Sequence, residues 1–491
     1  MRKTDVRRPF LTGLLCLAVT AVFAAAQPRQ AVVIDTDGAP DDMRAISMML
    51  AAPELQVLAV TGSQGSLPAA SSARHARRLL DAYHHEGVPV GIGEASSEAL
   101  PPWRGFAEDF EWGPTQGDEG AALPGAAEVL RPVVLDAPGR VTLVALGGLQ
   151  TYTAWLEAHP RMLGRIARVV WYAGPDADSF NRKLAPGAAE QLAAWGLKLE
   201  VVAGPEEALP CGPALLERLA AQSNPYARRV YAAHQDKKVL RKARAGHMAL
   251  WDDWVGLYLQ RPDLFVRRKA PDVGGVLLRP ADSLRGAAAY RHLASVYASA
   301  SQTPHRVFEG FPVQASLYKE AVAGILDSCL RRHGTREWKA VVITNEVHGH
   351  TGIYSIVGAK MGVRALEYFQ AEVNQLEALT YAGRKPPLSC FNDGLQISTG
   401  ATVGQGLLTV ADTVLKTPVA EFRFRGQAIR MRLREAVAQR MRRDLRQGIA
   451  EHGLLTPAYW DYVEALGLRY WLAFDRHAMF TLEPLNHPHK P

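Results

Sequence analysis

Asp35-Thr36-Asp37-Gly38-Ala39-Pro40-Asp41-Asp42 places four carboxylates within eight residues, straight after the apolar run Ala31-Val32-Val33-Ile34. A short apolar run bounded by a loop with glycine and proline reads as a buried strand. Carboxylates crowded at the exit of such a strand repel one another. A hard divalent cation, which accepts several oxygen ligands, relieves that repulsion. The plainer alternative is a helix start, with acids at the positive end of the helix dipole.

Outward from this loop, strands and helices alternate. Asp42 to Ala52 has helical periodicity, Gln56 to Thr61 reads as a second strand, Ala69 to His84 as a helix and Val88 to Ile92 as a third strand. Further strands are expected at Val141 to Leu146, Arg168 to Tyr172 and Leu197 to Val202. This alternation predicts an α/β fold, a mostly parallel sheet with helices on both faces. Ligands bind such sheets at the carboxyl ends of the strands, where the acidic loop falls.

The 491 residues exceed what one core holds, since single cores stop growing at roughly 250–300 residues. A first domain is expected over 30–280 and a linker over 281–312, where periodic signals are few. A smaller α+β domain follows over 313–425, then a basic, mostly helical tail over 426–491. Within the second domain, Ser316 to Arg332 and Ile353 to Glu372 read as helices, and Ala340 to Thr344 and Glu421 to Phe424 as strands.

Hydrophobic residues make up 48% and charged residues 21%, as in globular proteins. The formal net charge is +7, of which Arg2, Lys3, Arg7 and Arg8 against Asp5 contribute +3. The +4 that remains has no concentrated basic stripe, so no nucleic-acid partner is expected. The basic start, the apolar run from Phe10 to Phe23 and Ala24-Ala25-Ala26 have the order of a cleaved secretory signal over 1–26. The expectation is an exported protein, periplasmic or secreted, with no membrane span; the alternative is an uncleaved N-terminal anchor. A lipoprotein at Cys16 fits less well, because Leu15 occupies the place of a small residue. Cys211, Cys329 and Cys390 would remain after cleavage, without a CxxC pair, leaving room for one disulfide.

The segment Val32 to Ile46 resembles the signature of the inosine–uridine-type nucleoside hydrolases, Asp-x-Asp-Pro-Gly-x-Asp-Asp, with the proline displaced and the acidic spacing intact. The resemblance continues in order through Leu55 to Thr61, Val141 to Leu149, Ser179-Phe180-Asn181, and Leu250-Trp251-Asp252-Asp253 with Arg261-Pro262-Asp263-Leu264-Phe265. It implies a calcium-dependent hydrolase of N-glycosidic bonds in nucleosides or related ribosyl compounds. By the same resemblance Asp37, Asp42 and Asp252 would bind Ca2+ together with the backbone carbonyl at Gln150. Asp37 would also be the catalytic base that activates a calcium-bound water. Asp41 and Asn181 would contact ribose hydroxyls, and Asp35 would orient the loop. Three positions depart from the family. Trp251 stands for the histidine of its His-Asp-Pro motif and offers a face for stacking on a base, or a core side chain. Ser179 stands for a glutamate, and Gln64-Gly65 for Gly-Asn.

His348-Gly349-His350 is a second constellation. Two imidazoles, with the Cys390 thiolate further on, could take zinc or another borderline metal, or could be surface and capping groups. Thr399-Gly400-Ala401-Thr402-Val403-Gly404-Gln405-Gly406 could cradle an anion through backbone amides. Together these stretches resemble the E-type subunit of formylmethanofuran dehydrogenase. That resemblance implies a metal-associated domain with His350 and Cys390 as ligands and His348 in support; Thr351-Gly352-Ile353 stands where the family has Cys-Pro-Gly. The expected partner is a small nucleoside or ribosyl molecule, and a homo-oligomer stays open. The competing reading is a non-catalytic calcium and ribosyl-ligand binding protein whose second domain holds a metal or cofactor.

Overall fold

A computed structural model describes residues 29–113, 122–174, 178–301, 307–412 and 416–485; the expected secretory signal lies outside them. The first domain is built on eight strands: β1 (Gln30–Thr36), β2 (Leu55–Gly62), β3 (Val90–Ile92), β4 (Val141–Ala145), β5 (Ile166–Tyr172), β6 (Leu199–Val202), β7 (Phe265–Ala270) and β8 (Gly275–Pro280). Their order is β3-β2-β1-β4-β5-β6-β8-β7, parallel throughout except for β7 against β8. Alternate residues feed two separate cores. Val32, Ile34, Val144 and Val170 pack on one face, and Val33, Leu143, Ala145 and Val169 on the other. This two-sided burial is what a continuous apolar strand requires. Chain order reverses between β1 and β4, so the crevice outside their carboxyl ends is the place for a site.

The helices that concern this site are α1 (Pro40–Ala51), α2 (Ala69–Ala82), α3 (Gln150–Ala158), α4 (Phe180–Leu184), α5 (Asp253–Gln260) and α6 (Ala287–Ala298). Pro40 opens α1, where its missing N–H and fixed φ suit a first helical position. The expected linker does not begin at 281. α6 buries Ala289, Leu293, Val296 and Tyr297 in the first core, so the domain runs on to about residue 301.

The second domain contains α7 (Leu326–His348), α8 (Ile353–Phe369), α9 (Cys390–Thr399), α10 (Glu435–His452) and α11 (Pro457–Ala473). Its sheet has the order β10-β9-β11-β12-β13, from β9 (Glu377–Thr380), β10 (Leu408–Val410), β11 (Val419–Phe424), β12 (Gln427–Leu433) and β13 (Phe480–Pro484). Two expectations are corrected here. Ala340 to Thr344 is helical, inside α7: its β-branched run suggests a strand, but burial of Glu337, Trp338, Val341 and Thr344 follows a helical stripe. Residues 426–485 are not a tail. β12 forms a hairpin with β11, β13 extends the same sheet, and Met441, Val463 and Tyr470 join the second-domain core.

Helices α8 and α9 pack almost backbone to backbone. A Cβ on Gly394 would lie 2.0 Å from the Ser355 carbonyl oxygen, and one on Gly358 2.0 Å from that of Phe391. Because the obstruction is backbone, Gly394→Ala is expected to lower second-domain stability by about 3 kcal/mol. A thermal melt followed by circular dichroism measures this; an unchanged melt would refute the close packing.

The second domain docks on the amino ends of the first-domain strands. Arg29, just before β1, donates to the Gln370 carbonyl at 3.2 Å, and Gly87, before β3, donates to that of Tyr368 at 2.8 Å. Arg364 donates to Glu86 at 2.6 Å, Arg425 to Gln56 at 2.7 Å, and His84 stacks on His477 at 3.6 Å. Burial at this seam holds the His85 imidazole down, to about 4. The seam therefore lies at the far end of the strands from the acidic loop.

Candidate functional site

The acidic loop leaves β1 at the sheet's point of reversal, and hydrogen bonds to hydroxyls and amides shape it. Asp35 accepts from Thr61 Oγ1 at 2.5 Å and Ser63 Oγ at 2.6 Å, alternate residues at the end of the neighbouring strand. Burial raises its carboxyl to about 7 despite those donors. Thr36 Oγ1 donates to Asp42 Oδ2 at 2.6 Å, and the Asp37 amide donates to the same oxygen at 2.9 Å. Gly38 has φ +86, the left-handed region, and a Cβ there would lie 2.8 Å from both Leu67 and Ser72. Asp37 is walled by glycine: a Cβ on Gly65 would fall 2.3 Å from its Oδ2, and one on Gly147 2.7 Å from its Cβ. Gly65, one of the family departures, thus makes room for Asp37.

Asp41, Asp42 and Asp252 converge. Each offers an oxygen, and the three oxygens lie within 4.8 Å of one another. Asp41 and Asp42 stand in the first turn of α1, and Asp252 caps α5. Burial pushes the carboxyls of Asp42 and Asp252 well up, and the neighbouring carboxylates add to the effect. Asp252 Oδ1 is buried without a hydrogen-bond donor, and the Tyr172 hydroxyl, also without a partner, feels the same acids. Buried carboxylates do not gather unpaired unless a cation or protons neutralise them. The donor set, hard oxygens in a loose cluster, fits calcium. Asp37 stands beside the trio, not within it; its carboxyl is raised to about 7, first by burial and then by Asp41.

The other expected residues are placed as follows. Gln150 is the first residue of α3, where its carbonyl accepts from Thr153 Oγ1 at 3.0 Å. Its side-chain nitrogen donates to the Gln64 carbonyl at 2.8 Å, and its Oε1 is buried without a donor. Asn181, on α4, donates to the carbonyls of Leu146 and Tyr172 at 2.8 and 2.9 Å, which seats it where β4 and β5 end. Trp251 is half-buried against the first core. Sequence reasoning misses Thr36, Thr61, Ser63 and the ion pair of Arg44 with Asp253. The first three have a signal, since Thr61 and Ser63 share one side of a strand beside β1.

In the second domain, His348 Nδ1 lies 3.0 Å from Asp393 Oδ2, leaving its buried Nε2 without a partner. The ring of His350 is 4.3 Å from that of His348 and 5.1 Å from that of Trp460. His350 lines an open pocket of about 280 Å³ with Thr351, Trp460, Asp461 and Glu464. His348, His350 and Cys390 do not form a three-ligand cluster: among the described residues only the aspartate trio does. Cys390 heads α9, and it is Asp393, one turn on, that meets His348. In the glycine-rich stretch the amides of Gly400, Ala401, Gln405 and Gly406 are spent locally, on Gln396, Thr399, Thr402 and Val403. Gly400, at φ +69, is the C-cap of α9, where carbonyl oxygens and the negative end of the dipole gather. Cys211, Cys329 and Cys390 are free thiols, so the disulfide left open by the sequence is not formed.

Residues 32–274 match the inosine-uridine preferring nucleoside hydrolases. The first domain belongs to that family. Its catalytic class is hydrolysis of nucleoside N-ribosyl bonds. Residues 347–460 match the FmdE family, described by the molybdenum formylmethanofuran dehydrogenase operon, and this match crosses the hairpin of β11 and β12. A pyrimidine-specific ribonucleoside hydrolase of Klebsiella pneumoniae is 29% identical over 236 residues, which is 42% of this chain and 73% of that protein. One from Salmonella arizonae is 30% identical over 175 residues, 32% of this chain and 55% of that protein. A solved plant nucleoside hydrolase overlays on 56% of this chain and 99% of its own, with 21% identity and a TM-score of 0.44. Among the described residues of this nucleoside hydrolase–FmdE fusion, no helix is long and apolar enough to cross a membrane.

Proposed function

We propose that the chain is an exported, calcium-dependent hydrolase that splits the N-glycosidic bond of nucleosides or related ribosyl compounds. The observation that carries this reading is the convergence of half-buried Asp41 with buried Asp42 and Asp252 beside Asp37, at the carboxyl ends of β1 and β4. Asp42 and Asp252 of that trio, joined by the adjoining Asp37, would hold the calcium, with Gln150 offering its carbonyl or its unpartnered Oε1; Asp41, the more exposed member of the trio, would then face a ribose hydroxyl. When bound, calcium supplies positive charge that orients the attacking water and the sugar hydroxyls. Asp37, next to Asp41 at the edge of the cluster, takes the water's proton. The surrounding carboxylates stabilise the positive charge that develops on the sugar as the carbon–nitrogen bond breaks. Asn181 has committed its nitrogen to backbone, so its Oδ1 is the atom left to accept from a hydroxyl. Trp251 offers a ring face to the base in place of a protonating histidine, which favours bases that leave without a strong acid. Export is supported by the basic, apolar and small-residue order of residues 1–26.

For the second domain, the supporting feature is His348. An imidazole held by a carboxylate on one nitrogen presents the other to a metal, and zinc or a similar transition ion suits it. Metal analysis of the full chain, with and without His348→Ala, tests this; equal contents would remove the assignment.

The hydrolase reading is tested by following free base from a panel of purine and pyrimidine nucleosides. Release is expected with calcium, lost with EDTA, and lowered on the order of 10²–10⁴-fold by Asp37→Asn. Calcium binding without release from any nucleoside would leave a ribosyl-binding protein instead.

A further inference from the structure

Asp41 and Asp42 belong to α1, but Asp252 caps α5, far along the chain. Two separate helices must keep their register for the three carboxylates to meet. Arg44 supplies the polar link. Its Nε donates to Asp253 Oδ1 and its Nη2 to Asp253 Oδ2, each at 2.9 Å, between residues 209 apart in sequence. Both side chains are only 1% exposed. Nη2 also donates to the Ala249 carbonyl at 3.1 Å, and Nη1 lies 3.4 Å from His234 Nε2. Arg44 is two residues past Asp42, and Asp253 directly follows Asp252. The pair therefore ties the backbone bearing two of the clustered carboxylates to the backbone bearing the third. A planar guanidinium gripping a carboxylate with two parallel bonds fixes orientation as well as distance.

We propose that Arg44 is a positioning residue for the cation site. Its fork on Asp253 sets the register of α1 against α5 that brings Asp41, Asp42 and Asp252 together. It also occupies both oxygens of Asp253, which keeps a fourth neighbouring carboxylate out of the cation's coordination. The inference rests on the calcium reading above.

The test is calcium affinity of the full-length chain by titration calorimetry, well below the melting temperature. Wild type is measured first; if it binds no calcium, the calcium reading itself fails and this inference with it. Arg44→Lys keeps the charge but loses the fork, and is expected to weaken binding by about 10-fold or more. Because a single change could unfold the domain, the double variant Arg44→Met with Asp253→Leu removes both charges, leaves none buried alone and keeps the backbone of Asp252 free of a following proline. It is expected to fold, by circular dichroism, and still to bind calcium about 10-fold more weakly than wild type. A pair that served stability alone would shift the melt and leave the dissociation constant unchanged. Wild-type affinity in the folded double variant overturns the proposal.

Discussion

Asp252→Asn is expected to abolish calcium binding and to slow nucleoside hydrolysis on the order of 10³-fold. Asp252 is buried, its carboxyl is pushed well up by burial and by Asp42, Asp41 and Asp37, and its Oδ1 has no donor. Asparagine keeps the shape but removes a charge and points an N–H₂ group at the cluster. The same change relieves repulsion when no cation is bound. The variant should therefore melt higher than wild type in EDTA, yet gain nothing from calcium. Wild type should gain about 2.7 kcal/mol at a hundredfold excess of calcium over its dissociation constant. Scanning calorimetry with and without calcium separates the two effects. A calcium-dependent shift retained by the variant would mean that the cation binds elsewhere.

Glu337→Leu is expected to have the largest effect on stability. Glu337 is fully buried, its Oε1 takes the Lys360 ammonium, and its Oε2 accepts from Arg476 at 3.0 Å. Lys360 is itself fully buried. Removing the carboxylate strands the Lys360 ammonium in the interior and takes one of the two carboxylate partners of Arg476, and breaking such a buried pair costs about 3–5 kcal/mol. At 2–4 °C per kcal/mol for a domain of this size, the second-domain transition should fall by roughly 10 °C. The damage should spread, because Arg476 also grips Glu367, and Glu367 meets His477, which stacks on His84 of the first domain. Calcium binding by the first domain should persist. An unshifted transition would show that the network adds no stability.

The first domain is legible in the sequence because its strands are continuous apolar runs with helices between them, a pattern with few other solutions. The acidic loop is legible because four carboxylates in eight residues need an external charge. What local pattern does not reveal comes from distant partners. Arg44 reads as one polar position in an amphipathic helix, and only folding brings Asp253 to it. Helix α7 is hidden where Val341, Val342 and Ile343 favour strand by their side chains, since their burial depends on neighbours elsewhere in the chain. The end of the second domain falls later than the sequence suggests for a related reason. The arginines after Phe424 look like a solvated run, but Arg430 pairs with buried Glu421 at 2.7 Å across β11 and β12, and Arg425 reaches Gln56 in the other domain.

The seam between the domains has a consequence for what the fusion can achieve. The acidic loop stands one strand away from it, roughly 23 Å along the seven residues of β1. His348 and His350 stand one helix away on the other side, roughly 25 Å along the seventeen residues of α8. A molecule released at one end must travel through bulk solvent to reach the other, and a neighbouring copy of the protein could capture it equally well. Joining the two domains therefore guarantees that they are made in equal numbers and delivered to the same place, while hand-over between them stays dependent on protein concentration.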